Sequence, residues 1–218
     1  KTAYEISTRD WSSDVCSSDL LKLAWLPRGD DEYTLNVIDQ HGSKGTPPYA
    51  GDAGITPRYW TWPYWDKQSY YGATRTTLGG QVLKLRVFHD TFRNALFSYD
   101  DASYTTMKRP YAFESWYDDF SNGASAQLEA RLPADTTLGL AAHWKEDVHR
   151  EHNLGEPIRH FKDQTTSLDA EASHLLSAGS ELLAGLGYDT RRTLQAQDYN
   201  SATHVVSEFQ HGSGDASN

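Results

Sequence analysis

Sulfur is nearly absent from this sequence: its 218 residues include one Cys and one Met. A single cysteine closes no intramolecular disulfide and excludes a Cys-built metal scaffold. No stretch strings together the roughly 18 apolar residues that a membrane-crossing helix needs, although barrel strands leave no such run. Basic residues are the minority charge, with 20 Lys+Arg against 30 Asp+Glu and a net charge of −10. With no basic cluster to offset that balance, a nucleic-acid partner is excluded. What the chain has in quantity is aromatic: 13 Tyr and 7 Trp.

Residues 1–20, KTAYEISTRDWSSDVCSSDL, stand apart, with neither strand nor helix periodicity and no apolar centre for a signal peptide. Back-translation of 1–6 and 10–20 fits the two constant halves of a sequencing-library adapter, with 7–9 as the index between them. This segment is therefore expected to be foreign to the native protein, and Cys16 with it. Residues 21–218 carry the fold.

From there the chain alternates. Leu138, Leu140, Ala142 and Trp144 fall on one side of an extended run, opposite Gly139, Ala141 and His143. Ala124, Ala126 and Leu128 do the same before the break at 133–136, so the two runs predict an antiparallel hairpin. Leu83, Leu85 and Val87 oppose Lys84 and Arg86, and Leu182, Ala184 and Leu186 oppose Leu183, Gly185 and Gly187. A soluble sandwich would not bury Lys84 and Arg86 in its core, so the second face is wet. About nine strands are readable, with residues 59–78 as one of them and 203–210 as the last.

The links between strands alternate in length. PRGDD, GG, PADT and AGS are short, while the segments containing residues 41–58, 100–120 and 145–164 read as long, polar and aromatic-rich. Outer-membrane barrels have this asymmetry, and only a closed barrel satisfies strand backbone groups in lipid. The expected fold is all-β: an antiparallel transmembrane β-barrel of the outer-membrane type, present as a partial barrel. The nine residues Leu83, Leu85, Val87, Leu138, Leu140, Ala142, Leu182, Ala184 and Leu186 are expected to face lipid.

Five segments taken in order carry a family resemblance: LNVIDQHGSKGTPPYAG from Leu35, YWTWPYWDKQSYY from Tyr59, LRVFHDTFRNALFSYDDASYTTMKRP from Leu85, HWKEDVHREHNLGEP from His143 and LAGLGYDTRRTLQAQDY from Leu183. Together they resemble the middle of the barrel of TonB-dependent outer-membrane receptors. The resemblance implies a bacterial outer-membrane location and a barrel of about 22 strands around a plug. It also implies uptake of a ferric siderophore or a similarly scarce nutrient, driven by the TonB complex acting through that plug. Neither plug nor closing strand is recognisable here. A passive porin and a secreted all-β carbohydrate-binding protein are the alternatives.

No site chemistry stands out from the residues alone. His143, His149, His152 and His160, with Glu146, Asp147, Glu151 and Glu156 among them, lack metal-ligand spacing and read as solvated loop residues. Asp100-Asp101 and Asp118-Asp119 read as loop carboxylates, not an acid/base pair. No catalytic residue, metal ligand or cofactor is assigned. Ligand contact is expected from the loop aromatics Trp60, Trp62, Tyr104, Tyr111 and Trp116, by stacking and charge pairing with a large, partly anionic molecule.

Overall fold

A computed structural model describes residues 15–27, 29–46, 54–55, 57–208 and 216–217 of the chain. The described residues contain eleven strands joined in one antiparallel sheet. These are β1 (Val15–Trp25), β2 (Glu32–Gly45), β3 (Tyr59–Trp62), β4 (Trp65–Leu78), β5 (Gln81–Tyr99), β6 (Phe113–Leu132), β7 (Thr136–Asn153), β8 (Arg159–Ser177), β9 (Ser180–Asn200), β10 (Val205–Glu208) and β11 (Ala216–Ser217). Each long strand pairs with the next in sequence, an up-and-down meander.

Tight turns fall at one end. Gly79 and Gly80, both at positive φ (58° and 95°), make the two-residue hairpin between β4 and β5, a geometry that favours glycine at both positions. Ala134 and Asp135 adopt the same left-handed region in the turn after β6 without a glycine's freedom.

Several expectations need correction; residues 113–120 and 41–45, read as parts of long links, belong to β6 and β2. The long segment expected around 145–164 is mostly strand: β7 runs to Asn153 and β8 starts at Arg159, leaving 154–158 as the loop. Its alternating polar residues hide the strand, because charged side chains on both faces erase the hydrophobic signal while backbone pairing continues. Residues 59–78 are two collinear strands. Thr61 opposes Phe97 but Trp65 opposes Asn94, a one-residue slip at Pro63-Tyr64, where Pro63 has no N–H for the ladder. Finally, residues 15–20, read as lacking strand character, pair with β2 from Ser43 to Ile38. An edge strand needs only backbone partners for this, not alternation. The strand expected at 203–210 is β10, Val205–Glu208, with residues 209–210 outside the described residues, and the short β11 follows it.

Strands β5–β9 are 18–21 residues long, about twice the 9–11 that cross a bilayer. The sheet also has almost no core of its own: its buried apolar residues are Ala95, Ala130 and Ala196. Its order comes from the backbone ladder and from whatever covers each face.

Candidate functional site

Directly opposed residues in an antiparallel sheet share a face, so the register sorts every side chain. One face carries the rows Leu83–Leu128–Leu140–Ala170–Leu186, Leu85–Ala126–Ala142–Leu168–Tyr188 and Val87–Ala124–Trp144. Leu138, Ala172 and Ala184 extend it toward the tight turns, with Leu182 beside them, and Leu23 and Leu35 continue it across β1 and β2. All nine residues expected at the lipid surface lie on this face. Leu186 is 75% exposed, Val87 57% and Leu182 56%. From Leu138 to Trp144 the band runs about 20 Å along the strand, close to the ~25 Å apolar belt of outer-membrane barrels. Beyond Trp144 the same face turns polar through Asn122, Glu146, Gln164 and Arg192.

The opposite face is mixed, with charged and polar residues interspersed with aromatic rings. Lys84 and Arg86 are exposed on it. The Arg86 guanidinium lies 5.3 Å from the Tyr71 ring centre and 5.5 Å from that of Phe88, and the two rings stack at 5.9 Å. The Tyr71 hydroxyl donates to Asp90 at 2.7 Å. Phe88 lies flat on Gly123, where a Cβ would sit 2.2 Å from the ring. Ion pairs cross this face at Lys145–Asp147 (2.8 Å) and Arg191–Asp163 (2.7 Å).

Further toward the loops, His149 sits between two carboxylates, with Nδ1 2.6 Å from Asp119 and Nε2 3.4 Å from Glu151. It lies past the apolar band. The hydrogen bond to Asp119 raises its pKa above the ordinary 6.5, outweighing partial burial. Glu151 is held in turn by Arg159 at 3.2 Å. Because the two carboxylates occupy opposite edges of the imidazole, the three groups do not converge on one metal position. Here also is a cleft of about 500 Å³, lined by Lys67, Asp90, Phe92, Asp119, Asp147, His149, Phe161 and Asp163 among others.

The five expected ligand aromatics do not stay together. Trp60 and Trp62 point to the polar face, through Trp60 opposite Ser98 and Trp62 opposite Lys44. Trp60 Nε1 donates to Ser98 Oγ at 3.1 Å. Trp116, opposite Ala95, lies on the other face, stacked on His152 at 5.0 Å and edge-on to Phe97 at 5.7 Å. Tyr104, in the left-handed region at φ 53°, packs edge-on to Tyr59 (6.1 Å) and Tyr99 (5.5 Å). The Tyr111 hydroxyl accepts from Arg109 (2.9 Å) and donates to the Asp100 carbonyl (3.3 Å).

The sequence reading missed two features. Trp65 joins Trp60 and Trp62 on the polar face only because the slip at Pro63-Tyr64 breaks the alternation; WTWPYW held the signal in its central proline. Asp100 is the second. Its carboxylate accepts the backbone N–H groups of Lys108 (2.8 Å) and Arg109 (2.9 Å) and the Thr106 hydroxyl (2.8 Å), closing the loop 100–112 upon itself. The Lys108 amide is the main cause that holds its pKa below the usual carboxylate range.

No protein-family model and no curated protein matches the chain. Among solved structures it is similar to one named Copper transporter OprC, with a TM-score of 0.68 and 12% identity over 95% of this chain and 33% of that one. The chain therefore spans a third of that protein's length. The outer membrane protease OmpT from Escherichia coli covers 90% of this chain and 88% of its own at 9% identity, but a TM-score of 0.29 gives it no weight. At such identities the likeness shows the fold alone, an antiparallel β-barrel of the outer-membrane type.

Proposed function

We propose that this chain is part of a bacterial outer-membrane uptake protein, with its apolar band against lipid and its polar face toward the interior. The observation that carries this reading is the band itself, continuous across successive strands on one face while Lys84, Arg86 and their neighbours occupy the other. Lipid is the covering that makes those exposed leucines favourable, and a hydrated interior suits the charges. A secreted carbohydrate-binding sandwich would pack the leucines against a second sheet; among the described residues there is one sheet.

The finer reading is a TonB-dependent receptor for a siderophore or another scarce nutrient, energised through the plug that the family resemblance implies. It is supported by the five ordered segments and by the aromatic shelf of Trp60 and Trp62 at the loop end of the interior face. Residues 1–20 remain, in this reading, foreign to the native protein. Uptake by the protein carrying this chain, measured in cells with and without TonB, is the test. Import that stops without TonB is expected. Import that continues identifies a passive porin.

A further inference from the structure

We propose that the angle between Trp62 and Trp65 is a binding site for an organic cation, in which the ammonium of Lys44 stands where the ligand would sit. The inference rests on this face being the ligand face and names the class of molecule that it takes.

Two indoles meet here nearly at right angles, with ring centres 6.2 Å apart and planes at 80°. Lys44 Nζ lies in the angle, 3.2 Å from the centre of Trp65 and 4.7 Å from that of Trp62. Phe92 closes the far side, edge-on to Trp65 at 4.9 Å. The π-face of an indole is the negative end of its quadrupole, so two such faces turned toward one point attract a positive charge there. The β-bulge at Pro63-Tyr64 puts both rings on one face; regular alternation would send residue 65 to the other. Lysine is a weak permanent occupant, since its long stem has many rotamers and its ammonium is strongly hydrated. A quaternary or substituted ammonium, more weakly hydrated, is the better guest.

Phe92 also lines the neighbouring cleft, where Asp119 is paired with His149, Asp147 with Lys145 and Asp163 with Arg191, and Asp90 supplies a further carboxylate. Asp90 takes its hydrogen bond from the neutral Tyr71 hydroxyl. A cationic guest reverses the partly anionic ligand expected from the sequence.

The test uses the whole protein carrying this chain in detergent micelles, with the far-UV strand signature checked for each variant and indole N–H resonances followed by NMR. Tetramethylammonium chloride is the probe, and 3,3-dimethylbutan-1-ol, neutral and of similar bulk, is the control. The expected result is saturable shifts at Trp62 and Trp65 with the cation and none with the alcohol. Lys44→Ala should tighten binding about tenfold by removing the internal competitor, and Trp65→Leu should abolish it. Should Trp65→Leu fail to fold, Trp65→Phe keeps a smaller ring and should weaken binding several-fold. Equal binding of the alcohol overturns the proposal, as does an unresponsive Lys44→Ala chain. So does benzoate binding that Lys44→Ala removes, because Lys44 would then be the ligand's partner. These are binding measurements, so import without TonB would leave them unchanged, and their failure would leave the barrel reading standing.

Discussion

The two halves of each long strand obey different rules. In the half near the tight turns the faces are unlike: Leu140, Ala142 and Leu168 on one side, Ala141, His143 and Asp169 on the other. In the half near the loops both faces are charged, with Lys162 paired to Glu146 at 2.7 Å and Arg150 to Asp118 at 3.0 Å on the side that was apolar below. The backbone ladder runs through both without interruption from Thr136 to Glu151 against β8. Strand formation therefore does not mark where the apolar band ends; side-chain polarity does. In the proposed reading the lower half relies on lipid to cover its leucines, and the upper half substitutes cross-strand ion pairs and aromatic stacks.

The sharpest way to break this comparison is a charge placed in each half. Leu140→Arg is expected to cost about 2–4 kcal/mol in bilayer-inserted protein, whereas Gln164→Arg, on the same face beyond the band, should cost about 0–1 kcal/mol. Denaturant titration in lipid vesicles measures both, and equal costs would remove the boundary. Gly123→Ala probes the polar face at the boundary between the halves, where Gly123 opposes Lys145. Its Cβ would meet Phe88 at 2.2 Å, so the ring must leave Gly123 and its stack with Tyr71, at about 1–3 kcal/mol. Phe88→Ala in the same chain should erase the difference between Gly and Ala at 123.

The loops of the upper half should respond to pH through Asp100. Its folded pKa is lowered, so its contribution is present above the ordinary value of 3.8 and is lost as pH falls through the folded value. Proteolysis within 100–112 should accelerate below that ordinary pKa, and Asp100→Ala should show the fast rate already at pH 7. A pH-independent cleavage rate would mean that Asp100 does not hold the loop. The smallest effect belongs to the turn after β6, where Ala134 sits at φ 61°. Ala134→Gly relieves that left-handed conformation and should stabilise the protein by about 1 kcal/mol, seen as a shift in denaturant midpoint.

How much was legible beforehand follows the range of each interaction. The sharing of faces by Leu83, Leu85 and Val87, or by Leu138, Leu140 and Ala142, could be read directly, and so could the order of the strands. Strand length could not. Residues 145–153 and 159–164 carry charge on both faces and so resemble a loop, although their backbones pair throughout. Nor could the candidate site: Trp60 and Trp62 were singled out, but Trp65 and Lys44 were not, and Trp116 lies on the other face.

Which residues alternate is already written in the chain, because period two is a property of the extended backbone and needs no partner. That was enough for an all-β barrel with one apolar and one wet face. Whatever depends on register between strands is set in the folded sheet. The one-residue slip at Pro63 is measured against β2 and β5, and it turns Trp65 toward Lys44. The contact of Phe88 on Gly123 joins residues 35 positions apart in the chain, brought face to face by β5–β6 pairing. Asp100 gathers the amides of Lys108 and Arg109 only once its loop has closed. Such contacts arise from the folded geometry of neighbouring strands and loops, which local alternation does not encode.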